Sequence, residues 1–172
     1  MPNALPRKVS LGVKVELEVF LPDEGETQKL GAFLSQVLEP HQVIWLVGEM
    51  GAGKSTLVRA ILQALGIKGR IKSPSFSLAE SYASSLGMVY HIDLWRLSRP
   101  QSWEERGLGE LIQEGALVFI EWPERALGFV PEPDWVIRLC FLGEGRGAGI
   151  AAASAKGERG LLALSSFLAA SL

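Results

Sequence analysis

Val13, Val15, Leu17 and Val19 alternate with Lys14, Glu16 and Glu18. That period of two predicts a strand over 13–20 with one face in water, as at a sheet edge. The punctuating run Leu21-Pro22-Asp23-Glu24-Gly25-Glu26 follows. Leu30, Phe33, Leu34, Val37 and Leu38 then recur at helical spacing and predict a helix over 27–38, ahead of Pro40. Val43-Ile44-Trp45-Leu46-Val47 is apolar without alternation, the pattern of a strand covered on both faces in a parallel sheet. Leu57, Val58, Ile61, Leu62 and Leu65 return to helical spacing, and Gly66 is placed to end that helix.

Met88–Ile92 and Leu117–Ile120 are two more short apolar strands, each followed at once by an acid, Asp93 and Glu121. Between them Ser102-Trp103-Glu104-Glu105 has the spacing of a capping box and predicts a helix running to about Gly115. Trp135–Phe141 and Gly149–Ala155 predict an antiparallel hairpin around a glycine-rich turn at 143–147, and Leu161–Ala170 a closing helix.

With 172 residues, the expectation is one domain over 1–172, with 1–12 an unassigned tail. Lysine and arginine number 17 against 19 acids, so the net charge of -2 argues against unaided binding to nucleic acid or anionic membrane. A lone Cys140 makes neither an internal disulfide nor a cysteine metal cluster, which points to a reducing cytoplasm. The longest uninterrupted apolar runs are strand-sized, against the roughly 20 residues of a membrane span. Lys14, Glu16 and Glu18 interrupt what would be the apolar segment of a signal peptide after Arg7 and Lys8.

The strongest chemical signal is Gly48-Glu49-Met50-Gly51-Ala52-Gly53-Lys54-Ser55, which satisfies GxxxxGK[ST] between a buried strand and a helix. Its glycines let backbone amides converge on a phosphate, the helix beginning near Gly53 adds its positive end, and Lys54 supplies a mobile cation. The Ser55 hydroxyl is placed to ligate magnesium shared with those phosphates. Such a loop needs a further carboxylate at the carboxyl end of a neighbouring buried strand, and Glu121 and Asp93 both qualify. Glu121 suits the metal, and Asp93 suits orientation of an attacking water or of a switch segment, but either carboxylate meets the sequence requirement. The fold expectation is a three-layer α/β phosphate-loop domain, its mixed sheet parallel at the core and antiparallel at the edges.

Other side chains have plainer readings. His91 is expected to be a satisfied structural histidine rather than a base, and His41 follows Pro40 in a turn without evident partner. Trp45 and Trp135 lie in apolar strands and read as core, Cys140 as a buried apolar residue, and Trp122 as either a core cap or a neighbour of the nucleotide. From Met50 to Ala79 there are five basic residues, Lys54, Arg59, Lys68, Arg70 and Lys72, and no acid. Such a run is usually a solvated face, but beside a phosphate loop it also suits ATP or an RNA backbone.

Five motifs in order resemble the TsaE (YjeE) family of bacterial ATPases required for threonylcarbamoyladenosine modification of tRNA. They are Leu21-Pro22-Asp23-Glu24 with Thr27 and Leu30-Gly31; the phosphate loop through Thr56-Leu57; Lys72-Ser73-Pro74-Ser75-Phe76; His91-Ile92-Asp93-Leu94-Trp95-Arg96-Leu97; and Glu121-Trp122-Pro123-Glu124-Arg125. The resemblance implies that Gly51, Ala52, Gly53, Lys54, Ser55 and Thr56 hold the phosphates of ATP, that Ser55 and Glu121 serve Mg2+, and that Asp93 is needed for hydrolysis. It further implies that Ser73–Ser75 and His91–Arg96 respond to nucleotide, and that Glu24, Trp122 and Gly145-Arg146 approach it. Ser55 and Ser75 stand where threonine is commoner, keeping the hydroxyl, Glu49 replaces an aspartate, and Trp95 replaces a tyrosine, losing one. In this family the ATPase works with TsaB and TsaD, which carry out the transfer to tRNA, so tRNA is expected to be met indirectly.

Two other classes fit parts of the sequence. A small-molecule kinase would use Arg96, Arg99 and Arg106 in a lid, although no acceptor pocket is evident. A nucleotide-binding switch with negligible turnover needs only the loop; Ser154-Ala155-Lys156 hints at guanine selection, but no Asn-Lys-x-Asp accompanies it.

Overall fold

The computed structural model describes residues 16–170. The tail over 1–12 and the first residues of the predicted edge strand lie outside them. Seven strands form one sheet: β1 (Glu16–Leu21), β2 (Val43–Val47), β3 (Ala79–Ser84), β4 (Gly87–Asp93), β5 (Leu117–Glu121), β6 (Trp135–Leu142) and β7 (Gly145–Ala152), in spatial order β1-β7-β6-β2-β5-β4-β3. β6, β2, β5 and β4 run parallel, while β7 on β6, β1 on β7 and β3 on β4 are antiparallel. The sheet is thus parallel at its centre and antiparallel at both edges.

Alternation along the central strands divides the core. Ile44 and Leu46 of β2, Leu117 and Phe119 of β5, and Trp135, Ile137 and Leu139 of β6 pack with Leu30 and Leu34 of α1 (Glu24–Val37), Leu57 and Ile61 of α2 (Lys54–Ala64), and Leu161 and Leu164 of α5 (Ala155–Ala170). The other face carries Trp45, Val118, Ile120 and Val136 against Leu94, Leu97, Trp103, Leu108, Ala126 and Val130. Each such fully buried Leu or Ile contributes about 1.5–3 kcal/mol. On the first face α1 and α2 come so close that a methyl on Gly31 would lie 2.6 Å from Cβ of Ala60. This contact fixes α2, and with it the loop at its amino end.

Four departures from the sequence pattern have local causes. α1 begins three residues early because Asp23 caps it, its side chain accepting from the N–H of Glu26 at 2.9 Å. The helix expected from Ser102 to about Gly115 is instead two single turns, α3 (Ser102–Glu105) and α4 (Leu108–Leu111), separated at Gly107 with φ 64°. The hairpin turns at Gly143 and Glu144, and the other two glycines read as turn, Gly145 and Gly147, lie inside β7. There a side chain at Gly145 would strike the carbonyl oxygen of Leu21 at 2.6 Å. Finally, α5 starts six residues before Leu161, its Gly157 and Gly160 buried against Asp134 and Trp135. No described helix is long and apolar enough to cross a membrane.

Candidate nucleotide site

β2 ends at the glycine-rich loop, and the two neighbouring parallel strands end beside it, with Leu46 in register with Glu121 and Glu121 in register with Asp93. Chain reversals around β2 therefore bring the loop and both acids to one sheet edge, the position where open α/β sheets bind ligands. Gly48 passes so near β6 that a Cβ would lie 2.1 Å from the Leu139 oxygen. Gly53, at φ 103°, turns the chain into α2.

Lys54 is buried, its Nζ donating to the carbonyls of Gly48 at 2.6 Å and Glu49 at 2.8 Å and lying 4.2 Å from the ring centroid of Trp122. Burial holds its ammonium below the ordinary lysine range, against the opposing pull of Glu121, Asp93 and Glu124. The next residue, Ser55, donates its hydroxyl to Oε1 of Glu121 at 2.8 Å. His91 Nε2 reaches the same oxygen at 2.7 Å, with both side chains almost wholly buried. Nε2 faces a carboxylate oxygen and so carries a proton, and the other ring nitrogen, Nδ1, has no partner among the described residues. An orphan of this kind costs about 1–3 kcal/mol. His91 is therefore only half satisfied, a correction to its reading as a fully paired core histidine.

Asp93, also buried, accepts at Oδ1 from the Trp95 N–H at 2.9 Å and at Oδ2 from Ser75 Oγ at 3.5 Å. Burial pushes its carboxyl above the usual range and the nearby Glu121 charge adds to this, while the Trp95 N–H, His91 and Lys54 oppose it. Its backbone N–H is held by Leu78, closing the 73–78 loop onto the end of β4. Trp122 takes a left-handed backbone conformation, φ 58° and ψ 46°, at a cost of about 1–2 kcal/mol, and its ring packs on that of Trp95 at 4.5 Å, tilted by 46°. Arg125 covers Trp95 in turn at 4.8 Å. The result is a row running outward from Lys54 in which two tilted indoles lie between two cations.

Beside the loop opens a cleft of about 290 Å³ lined by Glu24, Thr27, Gly51, Gly53, Thr56, Gly145 and Arg146 among others. Arg146 donates to the Gly51 carbonyl at 3.3 Å and lies over Phe141 at 4.3 Å. Ala52 is fully buried beneath the loop. Of the candidates named from sequence, the cleft unites Glu24, Gly51, Gly53, Thr56 and Gly145, and the sheet edge unites Lys54, Ser55, Asp93, Glu121 and Trp122. Two of the three arginines that a kinase lid would use are engaged elsewhere, Arg99 with Glu105 at 2.7 Å and Arg96 over Phe76 at 4.6 Å.

Among the described residues no group of three or more His, Cys, Asp and Glu is arranged to hold a metal alone. A hydroxyl and a carboxylate oxygen 2.8 Å apart are instead the hard donors that suit magnesium, which takes one or two protein oxygens and completes its shell with phosphate and water. Sequence reasoning missed the link from His91 to Glu121 and the tilted packing of Trp95 on Trp122. The spacing of His91 and Asp93 held a signal for the first, because residues two apart on a strand share a face.

The solved structure of YdiB from Bacillus subtilis superposes with a TM-score of 0.76 at 24% identity, covering 90% of this chain and 97% of that one, and so shares the fold. A protein of Haemophilus influenzae called tRNA threonylcarbamoyladenosine biosynthesis protein TsaE is 33% identical over 135 residues, 76% of this chain and 85% of its own. A Rickettsia felis protein of the same name is 36% identical over 129 residues, 74% and 75% of the two chains. The family model described as threonylcarbamoyl adenosine biosynthesis protein TsaE matches residues 21–146, a span that takes in the loop, both acids, the paired tryptophans and the cleft, and the chain belongs to that family.

Proposed function

We propose that this protein is a cytoplasmic, magnesium-dependent ATPase that serves the formation of threonylcarbamoyladenosine in tRNA, acting with TsaB and TsaD proteins and meeting tRNA through them. The observation that carries the ATPase reading is the convergence of Lys54, Ser55, Glu121 and Asp93 beneath one glycine-rich loop. Family membership carries the tRNA role. Glycine-loop amides from Gly51 to Thr56 receive the phosphates, and Lys54 exchanges its two carbonyl partners for phosphate oxygens. Ser55 and Glu121 would hold the metal, which when bound would supply neutralisation of phosphate charge. Asp93 orients a water for attack on the γ-phosphorus and takes its proton, so that the bond to the β-phosphate oxygen breaks to leave ADP and inorganic phosphate. The cleft beside Glu24 and Gly145 accommodates the nucleoside.

A net charge of -2 agrees with partners that carry the RNA chemistry. The test is phosphate release from ATP with magnesium, measured with and without TsaB and TsaD. Turnover that depends on Lys54 and rises with the partners is expected. An ATP affinity unaltered in Lys54→Ala would overturn the nucleotide reading, and failure to associate with TsaB and TsaD under either ATP or ADP would overturn the pathway reading.

A further inference from the structure

Glu121 receives two donors on one oxygen, and the second comes from a residue of β4, outside the loop. Building on the proposed magnesium site, we infer that His91 is a positioning residue that sets the Glu121 carboxylate for the metal. Its side chain is 2% exposed and Nε2 lies 2.7 Å from Oε1, whereas Ser55 Oγ approaches the same atom at 2.8 Å. A carboxylate pinned by one hydroxyl alone still pivots about that bond. A second donor from the neighbouring strand removes this freedom and fixes both the carboxylate and the Ser55 hydroxyl before metal or nucleotide arrives.

The register explains how the strand delivers it. His91 and Asp93 share a face of β4, Asp93 lies opposite Glu121, and His91 lies opposite Phe119, so the ring extends along the sheet to reach its carboxylate. Its neighbours on β4, Tyr90 and Ile92, point to the opposite core. A ring serving only as filler would have no reason to be imidazole, since Nδ1 gains no partner there. The polarity of the residue is used at Nε2 alone, and the group it meets is the candidate metal carboxylate.

The experiment measures ADP affinity by calorimetry across a magnesium chloride titration, together with affinity in EDTA, for the parent, His91→Phe, His91→Gln and Glu121→Gln. Phenylalanine keeps the ring volume and removes the donor; glutamine keeps an N–H of similar reach. The expected result is that His91→Phe needs about 10- to 100-fold more magnesium for the same gain in affinity, with magnesium-free affinity unchanged. Glutamine should recover most of that loss, and in the Glu121→Gln background His91→Phe should add nothing.

A parental magnesium response in His91→Phe, an equal loss of affinity in EDTA, or additivity with Glu121→Gln overturns the inference. Should His91→Phe not fold, His91→Asn, whose amide is too short to reach Oε1, takes its place under the same criteria. A parent whose ADP binding ignores magnesium overturns the metal site itself, and this inference with it. A normal parent with indifferent His91 variants overturns this inference alone.

Discussion

The Lys54 ammonium lies 4.2 Å from the centre of the Trp122 ring while donating to two carbonyls of its own loop. A phosphate that captures Lys54 must break all three contacts, so occupancy of the site is written into the surroundings of one indole. ATP or ADP is therefore expected to change tryptophan emission, and the change should vanish in Trp122→Phe and in Lys54→Ala. Trp45, Trp103 and Trp135 are buried in the two cores and supply a constant background, and Trp95, which packs on Trp122 at 4.5 Å, is replaced by phenylalanine in every variant so that Trp122 alone reports. A nucleotide-induced signal that persists in Trp122→Phe would mean that the cation and the indole do not part on binding.

Gly48 links fold and site more directly than any other loop residue. Its φ of 144° and the Leu139 oxygen 2.1 Å from a built Cβ leave alanine nowhere to go, because the obstacle is backbone of a central strand. Gly48→Ala is expected to cost about 3 kcal/mol or more and to weaken nucleotide binding in whatever fraction folds. Urea denaturation monitored by circular dichroism checks this, and an unfolding midpoint equal to that of the parent would show that β6 gives way.

How much of this the sequence discloses depends on whether the cause is local. β2, the glycine-rich loop and α2 are legible because an apolar run, a glycine signature and helical spacing lie end to end within 43–65. β3 is not: Ala79–Ser84 is a mostly polar edge strand whose partner β4 supplies the reason for it to be extended. Only the first half of β7 hides, because Gly145 and Gly147 look like turn residues until β1 is seen against this strand. Asp93 and Glu121 announce themselves by following apolar strands, but His91 and Glu121 are 30 residues apart and meet only through the parallel pairing of β4 and β5. Local composition marks each chemical group, and tertiary pairing decides which of them act on one another.

Asp93 should trade stability for activity. Its carboxyl titrates above the ordinary value in the folded chain, because burial penalises the charge. Between the unfolded value, about 3.9, and the raised native value the folded state binds more protons, so stability is fully present below that window, falls as pH rises through it and stays lowered at neutral pH. Asp93→Asn removes this penalty and keeps an oxygen for the Trp95 N–H. The nucleotide-free variant is expected to gain on the order of 1 kcal/mol at pH 7, about 2–4 °C in melting temperature, and nothing near pH 3.5. ATP turnover should be lost in the same protein. Melting curves at the two pH values decide, and a gain of equal size at both would assign the effect to something other than ionisation.

Ser55 offers the sharpest division between structure and metal chemistry. Its hydroxyl donates to Glu121, so alanine removes both a hydrogen bond and a proposed metal oxygen, while threonine retains the oxygen and adds one methyl group. His91 still holds Glu121 in either variant. Ser55→Ala is expected to bind ADP in EDTA as the parent does, to lose the magnesium-dependent gain in affinity, and to hydrolyse ATP at least about tenfold more slowly. Ser55→Thr should keep the magnesium response. Calorimetry with and without magnesium separates the cases. Equal loss of affinity in both media for Ser55→Ala would reduce the hydroxyl to a structural tie, whereas loss confined to the magnesium-containing medium and absent in Ser55→Thr identifies it as a metal donor, because the two variants differ in that oxygen and not in the loop that presents it.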